Sequence, residues 1–174
     1  MGGLRQGVVI RPGSMRDFSY LAANMNEADW QEIACQIPKG TSTTEIAALC
    51  LGGRATWAAI WRGQPVAGFG IHSMTAAGNV CSLWLFGTRE SWRAIPSIEE
   101  FVATECGPRW LDEGVTRIEC RSDLRHSAAH RWLRRLGFAE EPCAEWGRDG
   151  EPFILFWLTR ERWLTKELVR SSAT

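Results

Sequence analysis

His126-Ser-Ala-Ala-His-Arg-Trp-Leu-Arg-Arg-Leu-Gly-Phe138 is the stretch on which the fold turns. Ala129, Trp132, Leu133 and Leu136 recur at i, i+3, i+4 and i+7, the apolar stripe of a helix lying on a core. Gly137 follows, the residue that ends a helix in a left-handed conformation without a Cβ penalty. Phe138 then begins an apolar return. Arg125, Arg131, Arg134 and Arg135 form a basic face, expected to be solvated, with phosphate contact as its functional alternative. His130 shares that polar face and is expected in solvent. His126, at the helix start, is expected as a capping or loop residue.

Downstream, Phe138–Trp146 reads as a strand interrupted by Pro142. Arg148-Asp149-Gly150 reads as a turn, Pro152–Leu158 as an apolar last strand, and Arg160–Ser171 as a charged helix or tail. Upstream, Val115–Arg121 alternates as a strand, and a helix runs from Ser97 to Glu105 or beyond. Val80–Phe86 is apolar enough to be buried on both faces. Ala55–Arg62 and Val66–Ser73 flank a tight turn at Gly63-Gln64 as a hairpin. Val8–Arg11 is a short strand. Ser14 opens a helix carrying Phe18, Leu21, Ala22 and Met25. Asp29–Ile37 is a second helix or a bent continuation, and Thr44–Leu51 is a short apolar helix. The order β-α-α-β-β-β-α-β-α-β-β predicts an α/β fold, a mixed antiparallel/parallel sheet flanked by helices. A single domain is expected over residues 1–159, with a C-terminal helix or tail at 160–174.

The bulk numbers bound the function. Of 174 residues, 45% are apolar and 23% charged, which excludes disorder as the dominant state. A formal net charge of zero excludes a strongly basic nucleic-acid footprint. No apolar run approaches the ~18 residues of a membrane span. Six cysteines, at 35, 50, 81, 106, 120 and 143, form no Cys-x-x-Cys pair and have no His at ligand spacing. No metal site is expected, and the thiols read as small buried hydrophobes. The first residues lack the pattern of an export signal. Ten tryptophans against one tyrosine are expected mostly in the core, with exposed ones marking a partner surface.

The order and the opening block together resemble the GNAT family of N-acetyltransferases. Many members carry Asn-x-x-Ala-x-x-x-Tyr-x-x-x-Gly-Phe here, and Ala129, Gly137 and Phe138 fall in register without a gap. The resemblance implies acetyl-CoA as cofactor, with Ala129 small enough to admit its arm. It also implies a phosphate cradle after the fourth strand, where Arg89-Glu-Ser-Trp92-Arg93-Ala94 stands. Cofactor contacts would then fall to Leu85, Phe86, Arg89, Arg93, Ala94, His126 and Ala129. The departures point the other way. Trp92 replaces a cradle Gly, Glu90 adds negative charge, and Pro96 lacks an amide proton. Leu133 stands where the family's acid Tyr is found, and Val80–Phe86 carries no acid. His126 and Glu119 are the remaining candidates for acid–base work, although Glu119 alternates onto what reads as an exposed strand face.

A narrower resemblance runs through Ser82-Leu-Trp-Leu-Phe-Gly-Thr88, Arg135-Leu-Gly-Phe138, Glu140-Glu141 and Arg148-Asp-Gly150. These are similar to GNAT-like internal virion or virion-assembly proteins of short-tailed phages. That similarity implies a catalytically degenerate virion component without a cofactor, located in the virion and host cytoplasm. Its Trp-rich surface would meet other virion proteins. The alternatives are an acetyl-CoA-dependent N-acetyltransferase of the bacterial cytoplasm, acting on a small or protein amine, and a non-catalytic binding module using the same crevice.

Overall fold

A computed structural model describes residues 7–143 and 145–172, with side chains through Lys166. The strands are β1 (Val8–Pro12), β2 (Ala55–Trp61), β3 (Gln64–Ser73), β4 (Val80–Gly87), β5 (Arg117–Asp123), β6 (Ala139–Cys143) and β7 (Phe153–Thr159). The helices are α1 (Met15–Ala23), α2 (Glu27–Ala34), α3 (Thr43–Leu51), α4 (Ile95–Phe101), α5 (Gly107–Asp112), α6 (Ser127–Leu136) and α7 (Arg160–Ser172). One seven-stranded sheet runs β1-β2-β3-β4-β5-β7-β6. All pairings are antiparallel except β4 with β5, which is parallel. The mixed sheet flanked by helices is thus as the sequence predicts.

Three separate helices precede β2, because the chain caps each one anew. Ser14 and Asp17 make a reciprocal capping box on α1, and the Arg11 guanidinium grips the same carboxylate through two bonds of 2.7 and 2.8 Å. Asn26 accepts the Asp29 amide and restarts the chain as α2. Ser42 and Glu45 repeat the box on α3. α4 passes through a π turn, Val102–Cys106, into α5. Pro108 lacks an N–H, and the Gly107 amide reaches back to the Val102 carbonyl, five residues away.

Alternation along the strands sorts the core into two layers. Cys81 and Leu83 of β4, with Phe69 and Ile71 of β3, pack against Ile98 and Val102 and, further along, Trp132, Leu133 and Trp163. Phe86, with Trp84, packs on the other face against Phe18 and Leu21 of α1 and Ile46, Ala47 and Cys50 of α3. Gly68 and Gly70 of β3 make room there. A Cβ on Gly68 would lie 2.6 Å from Phe18, and one on Gly70 2.9 Å from Trp84.

Some boundaries move. β5 extends to Asp123, two residues past the expected end, because Ser122 and Asp123 continue the ladder to Ile154 and Phe153. β6 ends at Cys143; the expected strand crosses Ala144, which lies outside the described residues, as do residues 1–6 and 173–174. Pro142 is tolerated because β6 is the edge strand, where a missing donor faces no partner. Trp57, Trp110, Trp132 and Trp163 are buried, whereas Trp30, Trp92 and Trp146 are exposed.

Candidate functional site

β4 and β5 pair over three residues only: Val80 with Arg117, Cys81 with Ile118 and Ser82 with Glu119. Beyond Ser82 they diverge, since β5 follows β7 through seven paired residues while β4 stays with β3. The gap is a cleft of about 420 Å³. On one sheet face it is lined by Leu83, Leu85, Ile95, Ala129, Trp132 and Leu133, and on the other by Trp84, Phe86, Ile33, Arg121 and Trp146. It therefore passes through the sheet. The amide and carbonyl of Gly87 point into this gap, to Asp29 and Asn26. By strand alternation the backbone groups of Leu85 point the same way, where no strand meets them. Two indole N–H groups in the walls, of Trp84 and Trp132, are buried without a partner, each a donor whose desolvation is uncompensated.

α2 bridges the open end of the cleft. Asp29 Oδ2 accepts the Gly87 amide at 2.7 Å and the Asn26 side chain at 2.6 Å. Asp29 Oδ1 lies 2.8 Å from His126 Nε2. On the opposite bank Glu32 Oε2 accepts the Ser122 hydroxyl at 2.6 Å and the Asp123 amide at 2.8 Å. Arg148, in the predicted turn, donates to the carbonyls of Ala34 and Ile37 and so caps the end of α2. Burial pushes the Glu32 carboxyl above the usual range, against the opposing Ser122 bond and the charge of His126. Glu32 Oε1 has no hydrogen bond among the described residues and is left to the cleft.

His126 caps α6 through Nδ1, which accepts the Ala129 amide at 3.4 Å. Burial pulls its pKa down, but the Asp29 bond and the charges of Glu32 and Asp29 prevail and raise it. Protonation would break the long cap bond, the weaker of these interactions. The sign follows. A His raised above its ordinary 6.5 stabilises the fold below that pH, and this contribution is lost as pH rises through the folded pKa. The melting temperature of the native chain is expected to fall across that window. In His126→Asn, which keeps a cap acceptor but does not titrate, the fall should be absent; an unchanged slope by differential scanning fluorimetry would refute the linkage. His130 contributes at and below 6.5 with the opposite sign, because its pKa is lowered by burial.

Of the sequence candidates, Leu85, Phe86, His126 and Ala129 meet on the cleft. Arg89, Arg93, Ala94 and Glu119 stand outside its lining. Glu119 is not on an open face: it bonds Arg117 at 2.6 Å, with its side chain 13% exposed. Arg93 is held by Glu90 and by the rings of Trp61 and Trp92. His130, expected in solvent, is buried; its Nε2 lies 2.9 Å from the Asp123 carbonyl, under the Phe156 ring. Trp92 does not plug the cradle but points outward, 61% exposed. The cradle loop bonds instead within itself and, through the Thr88 amide, to Val66 of β3. The amides of Thr88, Glu90, Ser91, Arg93 and Ala94 are all committed to neighbouring oxygens. Asp29 and Glu32 escaped the sequence reading. Their signal is two acids three residues apart on a helix whose other cleft-facing side chains include Ala28 and Ile33.

Among the described residues no cluster suits a metal, and no helix is long and apolar enough to cross a membrane. No protein-family model and no curated protein matches the chain. Solved structures do. An N-acetyltransferase from Staphylococcus aureus Mu50 aligns with a TM-score of 0.70 at 12% identity, over 88% of this chain and 99% of its own. The acetyltransferase (GNAT family) from Bacillus anthracis aligns at 0.67 and 12% identity, over 90% and 96%. AAC(6')-Ib, solved with ribostamycin and coenzyme A, aligns at 0.65 and 13% identity, over 91% and 97%. At such identities the likeness establishes the fold, which is the GNAT fold.

Proposed function

We propose that this chain is an acetyl-CoA-dependent N-acetyltransferase acting on a small amine. The observation that carries the reading is the cleft through the sheet, which lets two reactants enter from opposite faces and meet beside Glu32. The arm of acetyl-CoA is a chain of amides, and this cleft suits it. Leu85 presents an unpaired strand edge, Trp132 an unpartnered donor, and Ala128 and Ala129 a small-residue wall. At the phosphate end the committed loop amides fit poorly; Arg135 of α6 lines the cleft but is held by Glu99 at 2.7 Å.

When bound, acetyl-CoA supplies the activated thioester, whose C–S bond breaks as the amide C–N bond forms. Glu32 accepts at Oε1 the proton of the acceptor ammonium, which then passes to solvent; the second amine proton, lost on amide formation, balances the thiolate. His126 and Asp29 hold α2 and thereby Glu32 in place. Leu133 offers no proton, and none is obligatory, because thiols ionise near pH ~8.5. Positioning carries the remainder.

Calorimetric titration of the full chain with acetyl-CoA is expected to give one site with a dissociation constant of about 1–100 µM, within the span of enzyme substrate affinities. No heat at about 1 mM ligand, far above that range, would overturn the reading. That result would return the scaffold to a virion component or binding module, the reading favoured by the committed loop amides and the exposed Trp30, Trp92 and Trp146.

A further inference from the structure

Among the described residues, Arg121 is a largely buried cation with an unmet donor. Its side chain is only 17% exposed. It forms no hydrogen bond to any described residue, and its Nε is buried without a partner. Its ion-pair partner is Glu119, whose Oε2 stands 3.6 Å away, beyond hydrogen-bond reach, while Oε1 of the same carboxylate accepts from Arg117 at 2.6 Å. The guanidinium instead lies 3.9 Å over the Trp146 ring, on the wall of the cleft. A guanidinium with a buried, unmet Nε donor is costly, and its planar fork matches a carboxylate.

Its place selects the ligand. Ile118 and Cys120 of β5 face the core beside Trp132 and Leu133. Alternation therefore puts Arg121 on the opposite face, with α2, Trp84 and Trp146, away from the side that receives the cofactor arm. Ser122, the next residue along β5, is the one that holds Glu32. Base and guanidinium thus line the same cleft, where an acceptor that carries both an ammonium and a carboxylate meets both. The remaining walls, Ile33, Trp84 and Trp146, are apolar, and a cleft of about 420 Å³ leaves little room beyond the cofactor arm.

We propose that Arg121 receives the carboxylate of the acceptor, which is a small amino acid with an apolar side chain, its ammonium directed to Glu32. This rests on the transfer reading for the role of the amine, but the anion site stands separately. The test is calorimetry of the full chain with the standard L-amino acids, followed for each binder by its methyl ester and its decarboxylated amine; L-leucine, leucine methyl ester and 3-methylbutylamine are the first set. The two carboxylate-free analogues are expected to bind about 100-fold more weakly, as when one partner of a buried charge pair is removed. Arg121→Met, which keeps the bulk over Trp146, should lose about 100-fold for the acid alone. It should leave acetyl-CoA affinity unchanged.

Equal binding of the carboxylate-free analogues, or an Arg121→Met variant that keeps its affinity for the acid, would overturn the inference. Acetyl-CoA binding with no amino-acid binding would also overturn it while sparing the transfer reading. Amino-acid binding that depends on Arg121 without acetyl-CoA binding would do the reverse.

Discussion

Glu32→Gln is expected to lower kcat for acetyl transfer about 100- to 1000-fold, the usual worth of a positioned general base, with no loss of folded stability at neutral pH. Gln keeps an oxygen for the Ser122 hydroxyl and the Asp123 amide, so the tether of α2 survives. What it cannot do is take a proton at the oxygen left to the cleft. In the native chain the rate should rise with pH through the Glu32 titration, above the usual carboxylate range because burial disfavours the charge. Stability runs the other way. A carboxyl whose folded pKa is raised binds its proton more tightly when folded, so its contribution falls as pH climbs from the ordinary value to the folded one. Glu32→Gln removes both dependences. Rates from thiol release and melting curves between pH 4 and 9 test them together; a variant within about threefold of the native rate, far less than a base contributes, would remove Glu32 from the reaction.

The second large effect is on the fold itself. Gly107→Ala is expected to destabilise the chain by about 3 kcal/mol, the upper part of the range for overpacking a core. For a chain of this size that lowers the melting temperature by roughly 6–12 °C. A Cβ on Gly107 would stand 2.0 Å from Trp163 Cζ2 and 2.6 Å from Cε2. Trp163 is buried, so α7 must shift to admit a methyl group. The signature is coupling. Trp163→Ala alone costs a buried indole, yet Gly107→Ala added to it should cost little, because the clashing atom is gone. Additive losses in the double variant would show that the two residues do not meet.

The fold was legible because its signals are local. The stripe of α6, Gly137 and the hairpin at Gly63 each declare an element through nearest neighbours. Phe138 and the apolar run of β4 add the layers. The site was legible only in part. His126, Leu85, Phe86 and Ala129 sit on elements whose place the strand order dictates. Glu32, Asp29 and Arg121 acquire meaning only when α2 crosses from the end of β4 to the end of β5, contacts spanning 58 to 97 residues of sequence. Neither periodicity nor spacing reports such a meeting. His130 was misread for a related reason. Its helical position is polar by pattern, but the carbonyl of Asp123 supplies a buried partner that the pattern cannot show.

The three-residue parallel ladder between β4 and β5 has a mechanical consequence. It is a short seam between an N-terminal meander and a C-terminal three-stranded arm, each more extensively paired within itself. A molecule threaded through the cleft supplies the rungs the seam lacks. If the cleft is occupied as proposed, the joint between the arms stiffens and the ligand is registered as a change in elasticity.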